Sequence, residues 1–271
     1  MVARENLSTP LLLGILLSSF AILQRRRGAS IFAGMLCGAA MLAGGSALLL
    51  GLGPLTAVWL VANRRRNLIV RYGAMLASGL LLVLAPWLLA MQVMTGSATL
   101  TTSSGFNFYL GNNPAATGGF VSIADTPAGP RWEGMRANLG EAGASTALAR
   151  EGRAFIADHP MQALRLGVTK LARFWAPNLP DSADFSASSM IATIRLAEVV
   201  QYLMLLALGA VALLSGRVAR DQRRVIMALI AGFWLVHAAA YVMPRYRDPV
   251  MPVVIVLGVA ALARRGVQHG R

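Results

Sequence analysis

The sequence predicts an all-α protein: a polytopic transmembrane helical bundle of about seven spans with one external, partly helical loop domain. Three observations predict it. The 271 residues are 56% hydrophobic and only 13% charged, where an ordinary soluble domain carries roughly 25% charged residues. The apolar residues gather in long runs, and a spanning helix needs about 20 residues. The arginines cluster at the ends of those runs, as the positive-inside rule arranges them in cytoplasmic loops.

Taken in order, the first run is Leu7 to Leu23. Its basic cluster, Arg25 to Arg27, follows it and no small-residue cleavage site comes after, so it does not read as a signal peptide. The second run, Ile31 to Ala62, is too long for one span and lies between Arg25–Arg27 and Arg64–Arg66. Both ends then belong on the cytoplasmic side, and the run must fold back at Gly44, Gly45 and Ser46. The two resulting helices are short and span only if the bilayer thins or the turn is shielded. Gly34 and Gly38 have the spacing of a close helix contact, although small residues are common in such helices anyway.

Tyr72 to Met94 forms the next span, followed by one large segment, Thr95 to Met190. Ile191 to Leu214, Val225 to Met243 and Pro249 to Ala263 complete the set, with Arg217, Arg220, Arg223 and Arg224 in one loop and Arg264, Arg265 and Arg271 in the tail. Transmembrane helices 1–4 thus occupy residues 1–94, the extracytoplasmic loop domain 95–190, and helices 5–7 with the basic tail 191–271. With every arginine cluster inside, the amino terminus lies outside and the carboxyl terminus in the cytoplasm. A chain that starts outside and at once enters the membrane reads as the later part of a longer protein.

The net charge of +14 raises nucleic-acid binding, but the charge is topological. Of the eleven acids only Asp221 falls in a basic loop, and no interleaving of aromatic with basic residues accompanies the excess. Nucleic acid is not an expected partner; membrane lipids are. The single cysteine, Cys37, sits in an apolar run and offers no disulfide. No His/Cys/Asp/Glu set has metal-ligand spacing and no nucleotide phosphate loop is present, so no metal or other cofactor is expected.

Candidate chemistry lies in the loop domain and in the last external turn. Asn112 and Asn113, beside Tyr109, carry amides suited to sugar hydroxyls or phosphate oxygens; the competing reading is a structural turn with an aromatic plug. Arg131 to Asp158 reads as one or two solvated helices. Met161 to Trp175 reads as an amphipathic helix resting on the bilayer, with Leu164, Val168 and Leu171 on one side and Phe174 and Trp175 at headgroup depth. Lys170, with Arg165 and Arg173, suits an anionic headgroup, or else ordinary interfacial anchoring.

His237 to Asp248 joins two spans through a short external turn, and Arg245 and Arg247 stand where arginine is disfavoured. Their guanidiniums suit the phosphate of a lipid-linked donor through forked hydrogen bonds, or a pairing with Asp248. His237, about two helical turns deeper, is a functional candidate or a neutral histidine bonded between helices. Any general base belongs among Asp125, Glu133, Glu141, Glu151, Asp158, Asp181, Asp184 and Asp248, and nothing in the sequence singles one out.

These residues resemble the later half of bacterial polytopic glycosyltransferases of the GT-C type, the class that includes protein mannosyltransferases and the aminoarabinose transferase of lipid A. Three stretches carry the resemblance: Tyr109 to Gly118, after Pro86-Trp87; His159-Pro160 with Lys170-Leu171 and Phe174-Trp175; and His237 with Arg245 to Pro252. The resemblance implies transfer of a sugar from a polyprenyl-phosphate carrier to a glycan, lipid or protein acceptor at the outer face of the cytoplasmic membrane. It implies donor-phosphate binding by Arg245, Arg247 and Lys170, with Asn112, Asn113, Tyr109, His237 and Tyr246 as substrate-binding candidates. The family's catalytic acid belongs to an early external loop with no counterpart here, so no catalytic residue is named. The other readings are a non-catalytic membrane component that holds a lipid-linked glycan for a partner enzyme, and a transporter.

Overall fold

The computed structural model describes residues 4–179 and 188–263. Asp181, Asp184, Arg264, Arg265 and Arg271 lie outside the described residues. Among those described, the protein is all-helical, with ten α-helices and no strand. They are α1 Arg4–Leu23, α2 Ala29–Ala43, α3 Leu52–Ala62, α4 Arg66–Thr95, α5 Ser104–Gly111, α6 Trp132–Asp158, α7 Pro160–Trp175, α8 Ser189–Leu214, α9 Arg220–His237 and α10 Met251–Leu262.

The core is built around α1. Leu12, Ile15, Ser19 and Ile22 recur at helical spacing and are all but fully buried, so one stripe of the helix faces inward. Two serines on that side are satisfied locally: the Ser18 and Ser19 hydroxyls donate to the Ile15 carbonyl at 3.0 and 2.6 Å. Helices α2, α3, α9 and α10 pack against α1.

The long second run breaks as its glycines predict. Helix α2 ends at Ala43, Gly44 is extended, and a 3-10 turn, Gly45–Gly51, leads into α3. The close contact expected at Gly34 and Gly38 is made with α4. A Cβ on Gly34 would land on the Leu76 carbonyl, one on Gly38 would lie 2.9 Å from Val83, and one on Gly79 would meet the Ile31 carbonyl. Backbones therefore approach where side chains are absent.

Among the described residues two helices, α4 and α8, are long and apolar enough to cross a membrane; the apolar stretches Leu7–Leu23, Ala29–Ala43 and Ala47–Ala62 are shorter. Only 17% of the most apolar window of α4, and the same share of α8, is buried. Leu82, Leu89 and Val93 of α4 and Ile194, Val200 and Leu214 of α8 point outward.

The segment between α4 and α8 holds α5, α6 and α7. Helix α6 kinks at Gly140 (φ 68°), which reconciles the one-helix and two-helix readings of that stretch. Tyr109, Leu110, Ala128 and Leu148 form a small core there, apart from the main one. Helix α7 is apolar on two sides: Leu166, Lys170 and Phe174 face inward, while Met161, Leu164 and Val168 face out. Phe174, expected at headgroup depth, is instead 1% exposed and belongs to the main core.

A second correction concerns the last two runs. Helix α9 does not continue to Met243 but stops at His237, and α10 begins only at Met251 after a 3-10 turn, Pro244–Val250. Remote side chains and a proline end the helix. The Ala238 and Ala239 carbonyls are taken by side chains from elsewhere in the chain, and Pro244 holds Met243 extended (φ −118°, ψ 149°).

Candidate functional site

The stop of α9 creates a joint between three remote stretches. Lys170, on the inner side of α7, is 1% exposed. Its ammonium donates to Asn112 Oδ1 at 2.9 Å and to the Ala238 carbonyl at 3.2 Å. Asn112 Nδ2 donates in turn to the Phe108 and Ala239 carbonyls, both at 2.7 Å. Around this centre the backbones touch. A Cβ on Gly111 would meet the Ala240 carbonyl, and the Val242 amide donates to the Gly118 carbonyl at 3.0 Å. Gly118 takes a left-handed φ of 86° and lies against Thr169 and Arg173 of α7. Burial pushes the Lys170 ammonium down from its ordinary 10.5 to about 8, because desolvation disfavours the charged form.

Asn113 is fully buried: its Nδ2 donates to the Tyr109 and Leu110 carbonyls at 2.9 and 3.2 Å, and its Oδ1 accepts from the Ala115 amide at 2.8 Å. Tyr109 is 2% exposed in the small core. The amide donors of Asn112 and Asn113 are thus engaged with the protein, and the geometry describes a structural turn plugged by an aromatic ring.

His237 is the last residue of α9, at the level of the arginine turn rather than two turns below it. Its ring lies 5.2 Å from that of Tyr246, with Phe233 at 4.7 Å and Phe174 at 5.3 Å. Nδ1 is 2.6 Å from the Phe233 carbonyl, so it carries the proton and the ring is fixed by that bond. The aromatic group continues through Trp175 to Trp234, whose indole N–H donates to the Leu171 carbonyl at 2.9 Å.

The two arginines of the turn differ. Arg247 is buried, its guanidinium 4.2 Å above the Tyr202 ring, and it donates to the Ala176 carbonyl and, at 3.5 Å, to that of Phe174. It closes the carboxyl end of α7, where a cation is favoured by the exposed carbonyls. Arg245 is exposed. Both line a cleft of about 390 Å³ together with Asn178, Glu198, Tyr202 and Asp248.

Glu198 and Tyr202 were not singled out by the sequence reading. The signal was present: they stand four residues apart in a mostly apolar helix, which puts them on one face, and Glu198 also pairs with Arg195 at 3.4 Å. Among the external acids, Asp248 lines the cleft. Others are engaged elsewhere: Glu151 grips Arg131 at 2.8 and 2.9 Å, Glu133 lies 3.3 Å from Arg136, and Glu141 accepts from Thr102 at 3.1 Å. The hydrogen bond to Glu151 raises the Arg131 pKa above its ordinary value.

Cations beside carboxylates, in a cleft that also holds the Tyr202 ring, can hold a phosphate and accept a proton from a neighbouring hydroxyl. No protein-family model matches the chain, and no curated protein or solved structure matches it either.

Proposed function

We propose that this chain is a membrane glycosyltransferase of the GT-C type, or its carboxy-terminal part, which moves a sugar from a polyprenyl-phosphate carrier to an acceptor at the outer face of the cytoplasmic membrane. The observation that carries the reading is convergence. The three stretches that bear the resemblance, remote in sequence, meet where Lys170 joins Asn112 to Ala238 and where Arg247 closes α7. The membrane part of the reading is supported by α4 and α8, whose apolar windows are mostly unburied, whereas a soluble core helix buries its apolar face. The seven-span arrangement, with the segment 95–190 outside, follows from the arginine distribution.

In this reading Arg245 meets the donor phosphate at the open side of the cleft, and Arg247, held by the end of α7, backs it. The acceptor oxygen attacks the anomeric carbon, the bond from that carbon to the phosphate oxygen breaks, and the arginines stabilise the charge gathering on the departing phosphate. Asp248 or Glu198 takes the acceptor proton. Lys170 holds the loop, the helix and the turn in register rather than touching the carrier.

The test is transfer of labelled sugar from polyprenyl-phosphate carriers in membranes that contain the full chain. Arg245→Ala leaves the buried contacts of Arg247 in place, and a fall of about a hundredfold is expected, the size seen when one charge-stabilising donor is lost. No transfer above empty membranes by folded, inserted protein would overturn a self-sufficient transferase and favour a component that holds a lipid-linked glycan for a partner.

A further inference from the structure

A second pocket, of about 380 Å³, opens at the turn between α1 and α2 and is lined by Arg25, Arg26, Arg27, Ser30, Arg71 and Tyr72. We propose that it is a binding site for a phosphate group, carried by an acidic lipid headgroup or free in solution. It is separate from the cleft at Arg245 and independent of sugar transfer.

Three features point to an oxyanion. Four arginines line the pocket with no carboxylate among the lining residues, and they come from two remote places in the chain: the α1–α2 turn and α4. Arg25 also donates to the Val61 carbonyl at 3.5 Å. Arginine forks match phosphate oxygens two at a time. Ser30, also among the lining residues, is 3% exposed, and its hydroxyl is the one buried side-chain polar atom among the described residues with no hydrogen-bond partner. Such an orphan destabilises a fold unless something meets it.

The third feature is the start of α2, a helix of 15 residues. Its N-cap is Gly28, at φ 76°, which offers no side-chain oxygen to the first turn. The first amide of that turn with a backbone partner beyond Ala29 is that of Phe32, which donates to the Gly28 carbonyl. The amides of Ser30 and Ile31 make no such bond among the described residues. Donors at a helix start, together with its positive end, favour a bound anion. The α2–α4 contact at Gly34 and Gly79 holds Arg71 opposite this helix start.

The experiment is calorimetric titration of the detergent-solubilised full chain with three probes: short-chain phosphatidylglycerol, diacylglycerol of the same chains, and inorganic phosphate. Saturable binding of a phosphate-bearing probe, with none of diacylglycerol, is expected. Arg71→Gln should weaken it about tenfold, the loss of one charge-assisted fork. Ser30→Ala removes only an unpartnered hydroxyl, so folding is preserved, and binding should weaken about threefold. Arg64→Gln, outside the pocket, should change nothing. Tighter binding of phosphatidylglycerol identifies a headgroup as the source, and equal binding of inorganic phosphate identifies a free anion. No saturable binding of either phosphate probe, or binding unmoved in both Arg71→Gln and Ser30→Ala, would overturn the site.

Discussion

Two contacts in this protein bring backbones together, and they do so by opposite means. Where α2 meets α4, Gly34, Gly38 and Gly79 face carbonyls or side chains of the other helix. Where α5, α7 and the segment after α9 meet, the approach is held by a buried ammonium and by asparagine amides that take carbonyls away from a helix. The first contact depends on missing volume, so spacing alone specifies it. The second depends on every partner being present, because in a buried place a group left without its partner is penalised in full.

The largest effect should come from adding volume to the first contact. Gly79→Leu forces α2 away from α4, and we expect little folded protein by size exclusion in detergent. Gly73, on the same helix with open space around it, is the control: Gly73→Ala should raise stability by up to about 1 kcal/mol, the ordinary helix preference. Equal tolerance at both positions would erase the distinction between them.

Next is Asn112→Ala, which strands the Phe108 and Ala239 carbonyls and takes an acceptor from Lys170. A loss of about 3 kcal/mol or more is expected in chemical unfolding. A change below about 1 kcal/mol would mean that water replaces the amide and that the joint is not dry.

The pH dependence sharpens the same contrast. Lys170 titrates at about 8 when folded and near 10.5 otherwise, so between those values the unfolded chain holds a proton that the folded one has released. Stability should therefore rise with pH across that window, by at most about 3 kcal/mol. The rise should vanish in Lys170→Met, measured as melting temperature against pH. An opposite slope would show that the carbonyls hold the charged form more strongly than burial opposes it. The smallest effect is expected for Trp234→Phe, which keeps the ring but leaves the Leu171 carbonyl without its donor, a loss of about 1 kcal/mol in the same unfolding measurement.

Much of this was legible in the sequence because it is periodic or local. Helix content, the break at Gly44, the start of α7 at Pro160 and the close contact at Gly34 and Gly38 follow from run length, glycine and proline. The candidate residues were found as separate motifs, and their mutual arrangement was not. Nothing local says that α9 ends at His237, because the carbonyls after it are claimed by Asn112 and Lys170, over a hundred and about seventy residues away in the chain. The burial of Phe174 was hidden for a related reason: α7 is apolar on two sides, and the period cannot say which side turns inward.

By itself, then, the sequence determined the all-helical class, the places where helices start and break, and the unequal distribution of arginine, since these depend on neighbours within a turn or two and on charge placement along the chain. Only the tertiary structure decided that Arg247 is a buried clasp on α7 while Arg245 opens to a cleft, that Glu198 and Tyr202 share that cleft, and that Ser30, without a partner, lines a pocket with four arginines. Each of those facts is a relation between residues far apart in the chain. Burial and hydrogen-bond pairing exist only once remote segments pack, and no pattern along one segment carries them.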